Sequence, residues 1–352
     1  MAADTDRIHP FLLHGTLHTG SDSTDIRSPY SGALVGRTSM AGPADVEAAI
    51  AAAVAAAPET AALPSHARAG ALNRILAGLA EREEEFATLL AAEAGKPLGL
   101  ARAEVGRARF VFQQGAEEAT RMGGEVIPMD LQPHGEGRWG ITRRFPLSPI
   151  AAITPFNFPV LLAAHKLAPA IACGATMVLK PPPQDPLSTL LLGELLAECG
   201  YPAGALSIVP CTNEVAAPLI DDPRIRMVTF TGSARVGWAI RQRAYTKRVA
   251  LELGGNAAVI IEPDANLDHA VRRCVSGGYL YAGQSCISTQ RILVHESLYT
   301  DFTNLLVAAV GALRTGDPLA ETTDVGPMID AASAQRAVEW IAEAAAAGAR
   351  VA

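Results

Sequence analysis

Several features that usually organise a reading are scarce in this chain. Its 352 residues include five cysteines, at positions 173, 199, 211, 274 and 286, an odd count with no Cys-x-x-Cys pair. That pattern excludes a disulfide framework or a zinc finger as the organising element and suits a reducing cytoplasm. The eight histidines have no metal-ligand spacing, so no metal is expected. Aromatic residues make up only 5%. There is no basic excess: the net charge of -7 argues against nucleic acid or an anionic membrane as a partner. The longest apolar runs, such as 48–57, are alanine-rich and too short to cross a bilayer. Met1 to Arg7 lack a basic stretch followed by an apolar one, so no signal peptide is predicted. What is abundant is hydrophobic content, 49%, enough for large cores in about two domains.

In chain order, residues 1–42 read as a loosely ordered lead-in with one short strand at 33–36 after the turn Pro29-Tyr30-Ser31-Gly32. Helices are predicted over 45–57 (capped by Asp45, stopped by Pro58), 65–80, 81–94 (stopped by Gly95-Lys96-Pro97) and 100–122. Residues 123–149 carry short β-type segments around a Pro/Gly/His turn and read as a hairpin whose exposed edge a partner subunit could cover. From Pro149 the pattern alternates. Strands fall at 150–154, 175–180, 206–209, 227–231, 249–253 and 257–261, with helices at 160–172, 187–199, 214–220 and 234–243 between them. The strands are continuous apolar runs, as in an open parallel α/β sheet covered on both faces. Helices follow at 268–281, 298–313 and 332–347, with a strand at 289–294.

In such a sheet, ligands gather at the carboxyl ends of the strands. Distinctive polar residues sit at those ends. Asn157 lies in Thr154-Pro-Phe-Asn-Phe-Pro159, stiffened by Pro155 and Pro159; its amide could donate to an oxyanion or cap the next helix. Lys180 closes an apolar strand before three prolines; it could hold a ribose or phosphate, or snorkel at the sheet rim. Thr231-Gly-Ser-Ala-Arg-Val-Gly237 is a strand-to-helix turn that could hold a phosphate, although Gly-x-x-x-x-Gly is neither the dinucleotide fingerprint nor a Walker loop; packing alone would also explain Gly232 and Gly237. Glu252 stands on an apolar strand end, where burial would raise its pKa as a general base requires, unless it sits in a buried salt bridge. Cys286, in Tyr281-Ala-Gly-Gln-Ser-Cys-Ile-Ser288, sits on a tight connection between a helix and a strand, where reactive side chains are held by a scaffold. A serine-hydrolase reading fails, because Gly283-Gln-Ser-Cys-Ile287 lacks the second glycine of a nucleophile elbow.

Taken together and in order, Thr154–Pro159, the Lys180 strand end, Phe230-Thr-Gly-Ser233, Leu251-Glu-Leu-Gly-Gly255 and Gly283-Gln-Ser-Cys286 resemble the aldehyde dehydrogenase superfamily, from about Pro29 onward. The resemblance implies an open parallel-sheet cofactor domain with a helical N-terminal layer over 1–250, including an oligomerisation hairpin at 123–149. It implies an α/β catalytic domain beginning at 251. It casts Cys286 as nucleophile, Asn157 as oxyanion donor, Glu252 as activator of the hydrolytic water and Lys166 as a proton relay, although a plain helix-surface lysine would also fit. For the cofactor, NAD or NADP, it implies Lys180, Thr231, Gly232, Ser233 and Gly237, together with Thr154, Pro155 and Leu253. Pro183 stands where many NAD-preferring members carry a glutamate, leaving the choice open, and Arg241, Arg243, Lys247 and Arg248 could meet a 2′-phosphate or form a solvated face. Glu252 favours hydrolysis to the acid. The wording around Cys286 and Phe156 is most similar to lactaldehyde- and semialdehyde-type members, implying a small polar aldehyde. Family chains are longer: Ala352 comes before the family's Glu-x-x-Phe-Gly-Pro segment and its C-terminal oligomerisation strand, so the catalytic domain reads as incomplete. A homo-oligomer, dimer or tetramer, is implied for a complete chain. A fragment that binds nucleotide or a partner without turnover is the competing expectation.

Overall fold

The lead-in read as loosely ordered is a set of short strands: β1 Ile8–His9, β2 Phe11–Leu13, β3 Thr16–His18, β4 Asp22–Arg27 and β5 Leu34–Met40. The computed structural model describes residues 8–352, so what was expected of Met1 to Arg7 lies outside the described residues. Strands β2 and β3 form a hairpin on His14–Gly15, both left-handed at φ 53° and 77°, the twist a two-residue hairpin needs. Strand β5 pairs parallel with β1 and antiparallel with β4. The signal was hidden because β3 and all of β4 except Ile26 face solvent, with Leu17 the only apolar side chain on those exposed positions.

Four helices follow: α1 Pro43–Ala62, α2 Ser65–Glu81, α3 Glu83–Ala94 and α4 Leu98–Arg121. Two boundaries of α1 differ from expectation. Its first residue is Pro43, which needs no N–H partner there, and Asp45 caps from inside the helix by accepting from the Gly42 N–H at 2.8 Å. It also runs through Pro58; the last turn is kept by the buried Thr60, whose hydroxyl donates to the Ala57 carbonyl at 3.0 Å. In α4 the buried Ala101, Val105, Ala108, Phe112 and Ala119 repeat at helical spacing and face the core. Residues 126–141 form the expected antiparallel hairpin of β6 Val126–Pro128 with β7 Trp139–Ile141, leaving Trp139 and Ile141 largely exposed.

The main sheet has five parallel strands: β8 Ile150–Ile153, β9 Met177–Lys180, β10 Leu206–Ile208, β11 Met227–Gly232 and β12 Arg248–Leu253, in the order β10-β9-β8-β11-β12. Helices α5 Pro159–Cys173, α6 Leu187–Glu198, α7 Ala217–Asp221 and α8 Ala234–Arg243 link them. Helix α7 is shorter than predicted because residues 214–216 form a turn. One apolar core runs through α1–α6 and this sheet. A second parallel pair, β13 Ala257–Ile261 with β14 Thr289–Val294, packs on α9 Leu267–Tyr279 and α10 Tyr299–Gly311 around Ile261, Cys274 and Phe302. Helix α11, Ala331–Ala346, follows. The architecture is α/β with parallel sheets. Among the described residues no single helix is long and apolar enough to cross a membrane.

Two glycines in this layer separate backbone strain from helix propensity. Gly174 ends α5 at φ 82°, and a Cβ there would lie 2.7 Å from the Thr60 carbonyl oxygen. Gly106 is exposed inside α4 with nothing within 4 Å of its would-be Cβ. Gly174→Ala is expected to lower stability by about 1–3 kcal/mol, and Gly106→Ala to raise it by up to ~1 kcal/mol, both read from the urea midpoint.

Candidate active site

The parallel register lines up one rim. Ile153 pairs with both Lys180 and Phe230, and Thr231 pairs with Glu252, so the carboxyl ends of β9, β8, β11 and β12 lie side by side. Lys180 does not snorkel. It is 4% exposed, its Nζ reaches only the Pro181 carbonyl at 3.5 Å, and among the described residues no carboxylate pairs with it. Burial pushes its ammonium below the usual lysine value, against the pull of Cys211, whose thiol burial raises to about 11. Thr154 donates its N–H to the Lys180 carbonyl at 3.2 Å, tying the two strand ends together. Ser233 caps α8 by accepting from Val236. The glycines of this turn are explained by packing: a Cβ on Gly232 would meet the Phe230 ring, and one on Gly237 the Leu253 side chain, each at 2.5 Å. Of the basic cluster, Arg243 pairs with Asp221, and Lys247 donates to the Ile220 and Asp222 carbonyls, so these two serve the fold.

The thiol turn departs from the predicted helix. Helix α9 ends at Tyr279, and Leu280–Gly283 is a separate short turn in which Tyr281, Ala282 and Gly283 are all left-handed, at φ 50°, 53° and 75°. Such a conformation costs about 1–3 kcal/mol at each non-glycine position. Tight side-chain contacts hold it. The Tyr281 ring is buried, its hydroxyl donates to the Ala94 carbonyl at 2.7 Å, and it stands edge-on to Phe158. Gln284 accepts from the Ile329 N–H at 2.9 Å and donates to the Tyr281 carbonyl at 3.2 Å. Beyond this scaffold Cys286 is the one exposed cysteine of the five.

Asn157 does not cap α5; its Nδ2 donates to the Gln284 carbonyl at 2.9 Å, joining the asparagine turn to the thiol turn. Its backbone carbonyl accepts from Lys96 Nζ at 2.7 Å. Lys96 is fully buried and ion-paired with the equally buried Glu104, whose Oε1 accepts from the Val160 and Leu161 N–H groups at 3.0 and 3.1 Å. Lys166 is not a surface lysine. It is 6% exposed and donates to Thr229 Oγ1 at 2.9 Å, and burial pushes it down to about 8 while the Glu252 carboxylate pulls the other way. Glu252 corrects an expectation: its side chain stands exposed rather than buried, and among the described residues it has no salt-bridge partner. The reason is that β12 is an edge strand with only β11 beside it.

These residues surround one cavity of about 770 Å³. Cys286, Asn157, Glu252 and Lys166 line it, with Pro155, Thr231, Gly232, Ser233 and Leu253; Thr154, Lys180 and Gly237 are not in its lining. The sequence reading missed His165, Ser333 and Arg336 in the lining, and the buried Lys96, Glu104 and Tyr281 behind it. His165 could have been found as the neighbour of Lys166. Lys96 was read as part of a helix stop, and Arg336 had no signal.

The family model of the "Aldehyde dehydrogenase family" matches residues 17–352. The chain belongs to the aldehyde dehydrogenase family. It is 39% identical over 340 residues to the 3-sulfolactaldehyde dehydrogenase of Priestia aryabhattai, covering 96% of this chain and 71% of that one. The structure is similar to aldehyde dehydrogenase 21 of Physcomitrella patens, solved with the reaction product succinate, at a TM-score of 0.94 and 41% identity over 98% of this chain and 72% of that one. It is also similar to betaine aldehyde dehydrogenase of Staphylococcus aureus, solved with NAD+, at 0.93 and 29% identity over 98% and 69%. The chain spans 66% to 71% of the length of four curated relatives.

The low lysine value sets a pH test. With Lys166 near 8 in the fold and 10.5 unfolded, the unfolded chain holds the extra proton between those values, so stability gained from Lys166 rises with pH across that window and is flat below it. The stability of the wild type relative to Lys166→Met is therefore expected to climb from about pH 8 to 10.5; parallel denaturation curves across the window would contradict the assignment.

Proposed function

We propose that this chain oxidises a small polar aldehyde to its carboxylic acid with NAD or NADP, using Cys286, Asn157 and Glu252. The observation that carries the reading is the 2.9 Å bond from Asn157 Nδ2 to the Gln284 carbonyl, which brings a fixed amide beside the thiol turn on one cavity. Cys286 Sγ attacks the aldehyde carbon, forming a thiohemiacetal. An amide has two N–H groups, so Asn157 keeps one for the developing oxyanion while the other holds its position. A nicotinamide cofactor, when bound, would supply the hydride acceptor that turns the thiohemiacetal on Sγ into a thioester. Glu252, exposed on the cavity wall, takes a proton from the water that hydrolyses the thioester. Lys166, held near 8, relays protons beside it.

The residues fit a nicotinamide cofactor. Lys180 is a buried ammonium with one long hydrogen bond, so it has donors to spare for a ribose or phosphate at the sheet rim. Thr154, Pro155, Thr231, Gly232, Ser233, Gly237 and Leu253 shape the adjoining turn ends. Pro183 supplies no carboxylate against a 2′-phosphate. Cavity charge and the relatives' names point to an aldehyde with an anionic group: Lys166 and Arg336 face a single carboxylate, Glu252, while burial favours the neutral form of His165 beside them. The exposed 126–141 hairpin is the surface for homo-oligomer contact.

The test is NAD(P)H formation with short aldehydes. Anionic semialdehydes are expected to outrun neutral aldehydes of equal length. Cys286→Ala is expected to abolish turnover, and Asn157→Ala to slow it by ~10²–10³-fold. Equal rates in wild type and Cys286→Ala would remove the thiol from the mechanism. Nucleotide binding without turnover would favour the binding-fragment reading.

A further inference from the structure

The segment Ala94-Gly95-Lys96, remote in sequence from both working turns, touches each of them. On one side Lys96 Nζ donates to the backbone carbonyl of Asn157 at 2.7 Å and lies 4.1 Å from the ring centroid of the next residue, Phe158. On the other side the same ammonium lies 4.7 Å from the Tyr281 ring centroid, and the Tyr281 hydroxyl donates to the Ala94 carbonyl at 2.7 Å. Tyr281 is the first of the left-handed residues that carry the chain to Cys286. The ammonium is 0% exposed and is balanced by Glu104, whose other oxygen receives the first N–H groups of α5. A fully buried ion pair is poor value as stability alone, because desolvating both charges offsets their attraction. Its geometry serves something more specific. The charge sits between two turns that must keep one distance, and it bonds to the backbone of the residue whose side chain donates across the gap.

We propose that Lys96 is a positioning residue for acyl transfer: it fixes the Asn157 amide relative to the Cys286 turn, so that the oxyanion donor is in register when the thiol attacks. The proposal rests on the roles given above to Cys286 and Asn157. It concerns the oxyanion-forming step alone and predicts no effect on reactions of the thiol that make no oxyanion.

That separation gives the test. 4-Nitrophenyl acetate needs neither cofactor nor aldehyde: the Cys286 thiolate adds to the ester carbonyl, 4-nitrophenolate leaves with the electron pair, and an acetyl thioester remains on Sγ. Iodoacetamide alkylates the same thiol by direct displacement of iodide, with no oxyanion. The variants are Lys96→Met and the double variant Lys96→Met with Glu104→Gln; in the double variant the amide oxygen still receives the α5 N–H groups and Glu104 leaves no unpaired charge behind. Both are expected to slow the acylation rate constant by ~10 to 100-fold, as a misplaced catalytic group does, while alkylation stays within about twofold. Alkylation is read on the peptide containing Cys286, because misfolded protein also exposes the other four thiols to iodoacetamide; misfolding lowers the amplitude of acylation and leaves the rate constant of the folded fraction unchanged. Adding Asn157→Ala to the double variant should slow acylation no more than Asn157→Ala alone, because the two act through one donor. Acylation unchanged in the variants, or acylation and alkylation rate constants falling together, overturns the assignment of Lys96. Equal acylation by wild type and Cys286→Ala overturns the nucleophile reading, and this inference with it.

Discussion

The site depends on a strained turn being held from behind. Tyr281, Ala282 and Gly283 are left-handed in succession, and two of the three have a Cβ. Such a turn persists only where surrounding contacts over-determine it. Here the contacts come from three separate parts of the chain: Ala94 receives the Tyr281 hydroxyl, Ile329 bonds the Gln284 side chain, and Asn157 bonds the Gln284 backbone. The consequence is an exposed thiol on a rigid support, with the other four cysteines wholly or partly buried.

Electrostatics follow the same plan. Three lysines are nearly or fully buried near the rim, and each is treated differently. Lys96 has a carboxylate partner, Lys166 a hydroxyl and the nearby Glu252, and Lys180 one distant carbonyl. Burial lowers all three, and the degree of compensation sorts a structural pair from groups with donors to give. Of the three only Lys166 lines the cavity, where it and Arg336 face a single exposed carboxylate, Glu252, a balance that favours anions.

Much of this was legible in the sequence where one local rule decides the outcome. The β8–β12 strands are apolar runs closed by turn residues, and Ala234–Arg243, Ala257–Ile261 and Thr289–Val294 have the expected bounds. The polar residues at strand ends were legible because the parallel register leaves them nowhere else to lie. What escaped was set by tertiary contacts. Pro58 did not stop α1, because its last turn is packed. The strands of residues 8–40 showed no alternation, because β2 is buried throughout while β3 and all of β4 except Ile26 are exposed. Glu252 was expected in a buried setting because its neighbours are leucines, but β12 is an edge and turns that side chain to solvent. Lys96 read as punctuation after a helix, since nothing local tells that Glu104 and Asn157 close over it.

The central claim is that Cys286 carries the acyl group and Glu252 releases it. The direct measurement is mass spectrometry of Glu252→Gln protein after incubation with a semialdehyde and NAD(P)+, with peptides mapped by digestion. The account predicts an acyl mass increment on the peptide containing Cys286 that is absent without the cofactor. An increment on Cys173, Cys199, Cys211 or Cys274 instead, or none in protein that does turn over the aldehyde, would contradict it.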